Sequence, residues 1–225
     1  MKNLNTQIWA RSISFAIALG LLLFIPAGTI RYWQAWIYLI VFFASSATIT
    51  IYLMKNDPAL LARRMRAGPR AEQETAQKII MLFAMISFIG VFAASASDYR
   101  LKWSPAPIAM IILGDIAVVI GFFITFMVVK ENTFASATIE VSENQRVVSS
   151  GLYSIVRHPM YSGGLLIFLG TPLALGSLWG LALVALSVIW LIWRLIDEEK
   201  FLSKNLPGYD EYQQKVQYRL VPYFW

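Results

Sequence analysis

The chain has no cysteine and a single histidine, and only 14% of its 225 residues are charged. Without cysteine there can be no disulfide, thiolate metal site, cysteine nucleophile or cysteine-ligated iron–sulfur cluster. No metal site is expected from the remaining residues. A basic face on a soluble module is also missing, so nucleic acid is not an expected partner. No strand, glycine loop and helix follow one another in the manner of a dinucleotide-binding fold. A soluble domain carries about 25% charged residues, so the shortage here needs a physical reason.

That reason lies in where the charges are missing. Between Arg11 and Arg31 there are 19 uncharged residues, between Arg31 and Lys55 there are 23, and between Lys78 and Asp98 another 19. A membrane crossing needs about 20 apolar residues at roughly 1.5 Å rise each. Spans are expected at about 12–30, 33–54, 79–96 and 108–129. The fourth contains Asp115, an acid that should face the bundle or a wet cavity and serve there as a hydrogen-bonding group. Basic residues outnumber acidic ones by 19 to 13. Lys55, Arg63, Arg64, Arg66, Arg70 and Lys78 concentrate in the link after the second span, opposed by Asp57, Glu72 and Glu74. The positive-inside rule puts this link, and with it the N-terminus, in the cytosol. Part of the link is expected to lie on the membrane surface as an amphipathic helix. "SDYRLKWSPAP" reads as a short outer loop.

Residues 130–158 are polar, with short alternation around "SENQ" that suggests a small hairpin or an irregular cytosolic loop. A polar loop of this length in a compact membrane protein usually has a task. Residues 159–193 carry no charge. As one helix they would be about 52 Å long, too much for one crossing. Gly170, Pro172, Gly176 and Gly180 interrupt the run, so a helical hairpin turning near 174–177 is expected. A hairpin returns the chain to the side it left, which brings "RHP" at 157–159 beside "RLIDEE" at 194–199 on the cytosolic face. The architecture expected is an all-α polytopic bundle of about six spans, including that hairpin, with both termini cytosolic and a cytosolic pocket. Residues 1–129 form its N-terminal helices and 130–225 its site-bearing part.

Chemistry-bearing side chains cluster at 130–161 and 194–219. Pro159 suits a first helical turn, and the residues before it sit at the positive end of the helix dipole. Backbone N–H groups there, with Arg157 and His158, would suit an anion. Gly163 and Gly164 allow close approach, and Tyr153 and Tyr161 offer aromatic faces. Arg194 and Glu198 share a helix face, and Asp197, Glu198 and Glu199 make an acidic patch that favours a cation. A zwitterionic amino-acid group on an aromatic base matches the combination. A plain membrane-interface anchor would also account for the first cluster.

"GLYSIVRHPMYSG", then "RLIDEEKFL" after a helical hairpin, then "GYDEYQQKV" together resemble the isoprenylcysteine carboxyl methyltransferase family and the related membrane phospholipid N-methyltransferases. The resemblance covers about residues 130–225. It implies S-adenosylmethionine (SAM) as cofactor, contacted by Gln145, Arg146, Val147, Val148, Tyr153, His158, Pro159, Met160 and Tyr161 and held by Glu198. It implies Arg194 as the catalytic residue facing the acceptor's carboxylate. "ENTF" at 131–134 departs from the family's asparagine–phenylalanine element by the insertion of Thr133.

The expected activity is SAM-dependent methylation of a lipid-like or prenylated acceptor in the cell (inner) membrane. A carboxylate is the expected target, because it is already ionised and needs no general base. Only Glu199 offers itself as a base for an amine. Two alternatives stand beside this reading. A membrane NADPH-dependent steroid or sterol-type reductase would carry an asparagine where Met160 stands and an acid where Gly164 stands. A non-enzymatic membrane scaffold would bind no nucleotide-like ligand.

Overall fold

The computed structural model describes residues 2–72 and 74–225, with side chains from Thr6 onward. In chain order it contains α1 (Lys2–Ala27), α2 (Trp33–Asn56), α3 (Pro58–Arg64), α4 (Thr75–Leu101), α5 (Ile108–Glu131), the 3-10 turn η1 (Gly151–Ser154), α6 (Pro159–Ala174), α7 (Trp179–Asn205) and α8 (Tyr209–Lys215). The fold is a polytopic helical bundle. Among the described residues α1, α2, α4, α5 and α7 are long and apolar enough to cross a membrane. Their outer faces are apolar and exposed, as at Ile13, Ile17, Leu21 and Ile25 of α1, which recur every four residues and form one stripe. In a bilayer such a stripe meets lipid at no cost.

The sixth apolar segment differs from a full span. At 16 residues, α6 is about 24 Å long and shorter than the usual hydrocarbon thickness. It lies against α5 by backbone contact. A Cβ added at Gly163 would lie 2.8 Å from the Gly121 carbonyl oxygen, and one added at Gly121 would lie 2.6 Å from the Gly163 carbonyl oxygen. Gly114 and Gly170 repeat this two turns away. Because the apolar effect does not drive association inside lipid, such close approach supplies the packing attraction. The hairpin forms as expected, α6 ending at Ala174 and α7 starting at Trp179.

At one end of the bundle the connections are short. Asp98 accepts hydrogen bonds from Ser104 Oγ (2.5 Å), Ser177 Oγ (2.5 Å) and the Ser104 N–H (2.7 Å), which ties α4 to the α6–α7 turn. The segment expected as an outer loop is partly helical, since α4 continues to Leu101. Asp115 does not make the hydrogen bond expected of it: its Oδ1 is enclosed and has no partner among the described residues.

The other end is polar. The basic link forms α3, capped by Asp57, whose Oδ1 accepts from the Leu60 N–H at 2.8 Å. The 132–150 loop is irregular and contains no strand, only turns such as the one with Asn144 at φ 60°. A small core of Leu206, Tyr209, Tyr212 and Val216, with Val141 and Val147 against it, fastens α8 to this loop.

Candidate active site

A cavity of about 670 Å³ opens at the polar end and continues down between α4, α6 and α7. Its polar part is made by the 132–148 loop, Tyr153, α3, the start of α6, the end of α7 and α8. Its deeper part is apolar, with Ile80, Phe88, Leu165, Phe168, Val184 and Leu191 on the walls. Gln145, Arg146, Val147, Val148, Tyr153, His158, Met160, Tyr161, Arg194 and Glu198 all line it. Pro159 does not: it is buried as the first residue of α6. Residues before 130 also contribute, among them Arg64 of α3 and Tyr38 of α2.

Adjacent acids on α7 have different surroundings. Glu198 faces the cavity and accepts the Tyr161 hydroxyl at 2.5 Å. Glu199 points away and is buried. Its Oε1 lies 2.7 Å from Arg157 Nε and 3.3 Å from His158 Nε2, and its Oε2 lies 2.9 Å from Arg219 Nε. An acid so compensated, and outside the cavity, is not the base that an amine acceptor would want. The anion site expected before α6 is likewise taken by the tail. The Arg157 and His158 N–H groups donate to the Tyr218 and Arg219 carbonyls at 2.8 and 2.9 Å. The Arg157 guanidinium also donates to the Val216 carbonyl at 2.9 Å. This corner holds the C-terminal tail against the hairpin.

Arg194 sits in a buried network. Nε donates to Tyr161 Oη at 3.0 Å and Nη1 to Gln77 Oε1 at 2.6 Å. Nη2 lies 2.8 Å from Glu72 Oε1, whose side chain is 1% exposed. Glu72 Oε2 in turn accepts from the Ile139 N–H at 3.3 Å. Gln77 also donates to Asp197. Glu72 and Gln77 lie more than a hundred residues from α7 in sequence, and in the sequence Glu72 reads only as a counter-charge in the basic link.

Tyr153 is fixed from both sides. Its hydroxyl accepts from Asn132 Nδ2 at 2.8 Å, and its carbonyl accepts the Tyr212 hydroxyl at 2.7 Å. Asn132 therefore belongs to the cavity wall despite the inserted Thr133. Burial pushes the Tyr153 hydroxyl up to about 12, so it stays a neutral donor at physiological pH. Gln145 closes its own turn, accepting the Ser142 N–H at 2.8 Å. Tyr209 also lines the cavity, and its buried hydroxyl has no hydrogen-bond partner among the described residues. Burial raises it as well. Its aromatic neighbours in the tail hid it as a packing residue in the sequence.

Residues 109–207 match the phospholipid methyltransferase family. The match starts in α5 and ends just past α7, so it includes the 132–150 loop, the hairpin and the Arg194–Glu199 segment. This family is related to the isoprenylcysteine carboxyl methyltransferases, the resemblance that the motifs carry. The match supports a membrane methyltransferase and does not favour the reductase or the scaffold. No curated protein matches the chain.

Proposed function

We propose that the chain is a membrane-embedded, SAM-dependent methyltransferase of the isoprenylcysteine carboxyl methyltransferase-like type, acting on a lipid-like or prenylated acceptor. The observation that carries this reading is the continuity of the cavity, whose polar mouth runs directly into an apolar shaft between α4, α6 and α7. A cofactor and an acyl or prenyl chain can occupy its two parts with their reacting ends together.

The residues of the mouth fit SAM. Glu198 has one donor among the described residues and faces the cavity, so it suits an ammonium or the positive field of a sulfonium. The Tyr209 hydroxyl, without a partner among the described residues, suits a ligand atom. The volume is within the roughly 300–1,000 Å³ of small-molecule sites. When bound, the cofactor supplies an electrophilic methyl group. The chain's own part is positional. Tyr161 holds Glu198 and Arg194 in fixed relation, the 132–148 loop walls the mouth, and the apolar walls align the acceptor's chain.

The acceptor proposed is a carboxylate held by Arg194. It has to replace Glu72 at Nη2, because Glu72 already compensates that guanidinium. This pairing favours one second reading, an amine acceptor that leaves the pair intact. By the positive-inside rule the mouth and both termini face the cytosol of the cell (inner) membrane. The test is transfer of labelled methyl from SAM to matched long-chain acids and amines. Label on the acids, lost in Arg194→Ala with cofactor affinity largely kept, supports carboxylate methylation. Label on the amines alone selects the second reading, and label on neither overturns the activity.

A further inference from the structure

The cavity contains a cation that neither the motifs nor the family match assigns. Arg64 closes α3, in the link before α4, and it lines the polar mouth. Its Nη1 donates to the Ala135 carbonyl at 3.0 Å and contacts Met160 Sδ at 3.8 Å. No carboxylate pairs with it among the described residues, whereas Arg157 and Arg219 share Glu199 and Arg194 has Glu72. Burial pulls its guanidinium down from the usual value, opposed by nearby Tyr153 and by no carboxylate. A half-buried cation facing a cavity without a counter-charge is costly, and an anion brought by a ligand removes the cost. Neither Nε nor Nη2 donates to a group among the described residues, so a planar carboxylate has donors to meet.

Its position says which anion. Met160 touches Arg64, Asn132 donates to the Tyr153 hydroxyl, and all of them line the cavity; the Tyr153 hydroxyl is within electrostatic reach of both Glu198 and Arg64. A carboxylate and a guanidinium thus line one cavity within reach of one tyrosine. Such a pair is complementary to an α-amino acid, with its ammonium and carboxylate on one carbon.

We infer that Arg64 binds the α-carboxylate of the cofactor's amino-acid moiety while Glu198 binds its ammonium. The inference rests on the SAM reading proposed above. It makes the basic link a part of the cofactor site. The competing source of the same chemistry is an anionic headgroup on the acceptor, and the ligands below distinguish the two.

The experiment is calorimetric titration of the detergent-purified full chain with S-adenosylhomocysteine and with its decarboxylated analogue, which keeps the amine and lacks the carboxylate. The parent is expected to prefer the first by about tenfold or more. Arg64→Gln should bring S-adenosylhomocysteine down to the affinity of the analogue and leave the analogue unchanged. Arg64→Lys should restore part of the preference, and Arg63→Gln, on the same helix but outside the cavity wall, should keep all of it. The inference is overturned if Arg64→Gln still discriminates like the parent, which leaves an acceptor headgroup as the anion. It is equally overturned if both ligands weaken together, or if binding by Arg64→Lys shows no preference in a folded protein. Failure of the parent to bind either ligand contradicts the SAM reading itself.

Discussion

The two ends of the bundle use carboxylates differently. At the end with short loops, Asp98 receives two hydroxyls and a backbone N–H, and its bonding capacity is spent on holding α4 to the hairpin turn. At the polar end Glu199 is spent in the same way, on Arg157, His158 and Arg219. One residue earlier, Glu198 holds only the Tyr161 hydroxyl among the described residues and faces a cavity. A buried acid that is fully satisfied maintains the structure, and an acid with capacity left over is available to a ligand, the more so in a cavity also lined by a hydroxyl without a hydrogen-bond partner and an arginine without a paired carboxylate among the described residues. The contrast lies in the partners and not in the residue type.

The contrast is sharpest for the neighbouring glutamates. Glu199→Ala leaves Arg157 buried without its acid and should cost about 3–5 kcal/mol of stability, seen as a large fall in the thermal unfolding midpoint in detergent. Glu198→Ala should do the reverse. S-adenosylhomocysteine affinity should drop by roughly 100-fold, the scale of a lost charged hydrogen bond, while the unfolding midpoint stays near that of the parent. Equal behaviour of the two variants would abolish the distinction. At the opposite end, Asp98→Ala strands the Ser104 and Ser177 hydroxyls and should cost about 2 kcal/mol, with cofactor affinity unchanged. The smallest effect separates adjacent glycines. Gly163→Ala drives a methyl against the Gly121 carbonyl and should cost about 1–2 kcal/mol by overpacking. Gly164→Ala meets no atom within 4 Å and should leave stability unaltered.

The spans were legible because charge is expelled from lipid so strongly that its absence marks a crossing. The hairpin was legible because glycine and proline interrupt a run too long for one helix. Glu198, Tyr161 and Arg194 could be grouped because the hairpin closes on itself and periodicity puts the latter's segment on one face. Glu72, Gln77 and Arg64 could not be grouped with them. Their pairing crosses from the link to α6, α7 and the 132–150 loop, and local pattern carries no trace of such contacts. The anion site expected at Arg157 failed for a related reason. The tail carbonyls of Tyr218 and Arg219 claim those N–H groups, and nothing in the tail's sequence announces where its backbone docks. Asp115 was recognisable as unusual, yet the lack of a partner for its Oδ1 among the described residues was a matter of packing.

Whether the cavity is built for methyl transfer is tested by calorimetric titration of the folded, detergent-purified protein with S-adenosylhomocysteine, with NADPH titrated in parallel. Saturable binding of S-adenosylhomocysteine to one site per chain, and none of NADPH, is the expected result. Binding of NADPH alone, or of neither ligand by a folded protein, would contradict a cavity built for methyl transfer.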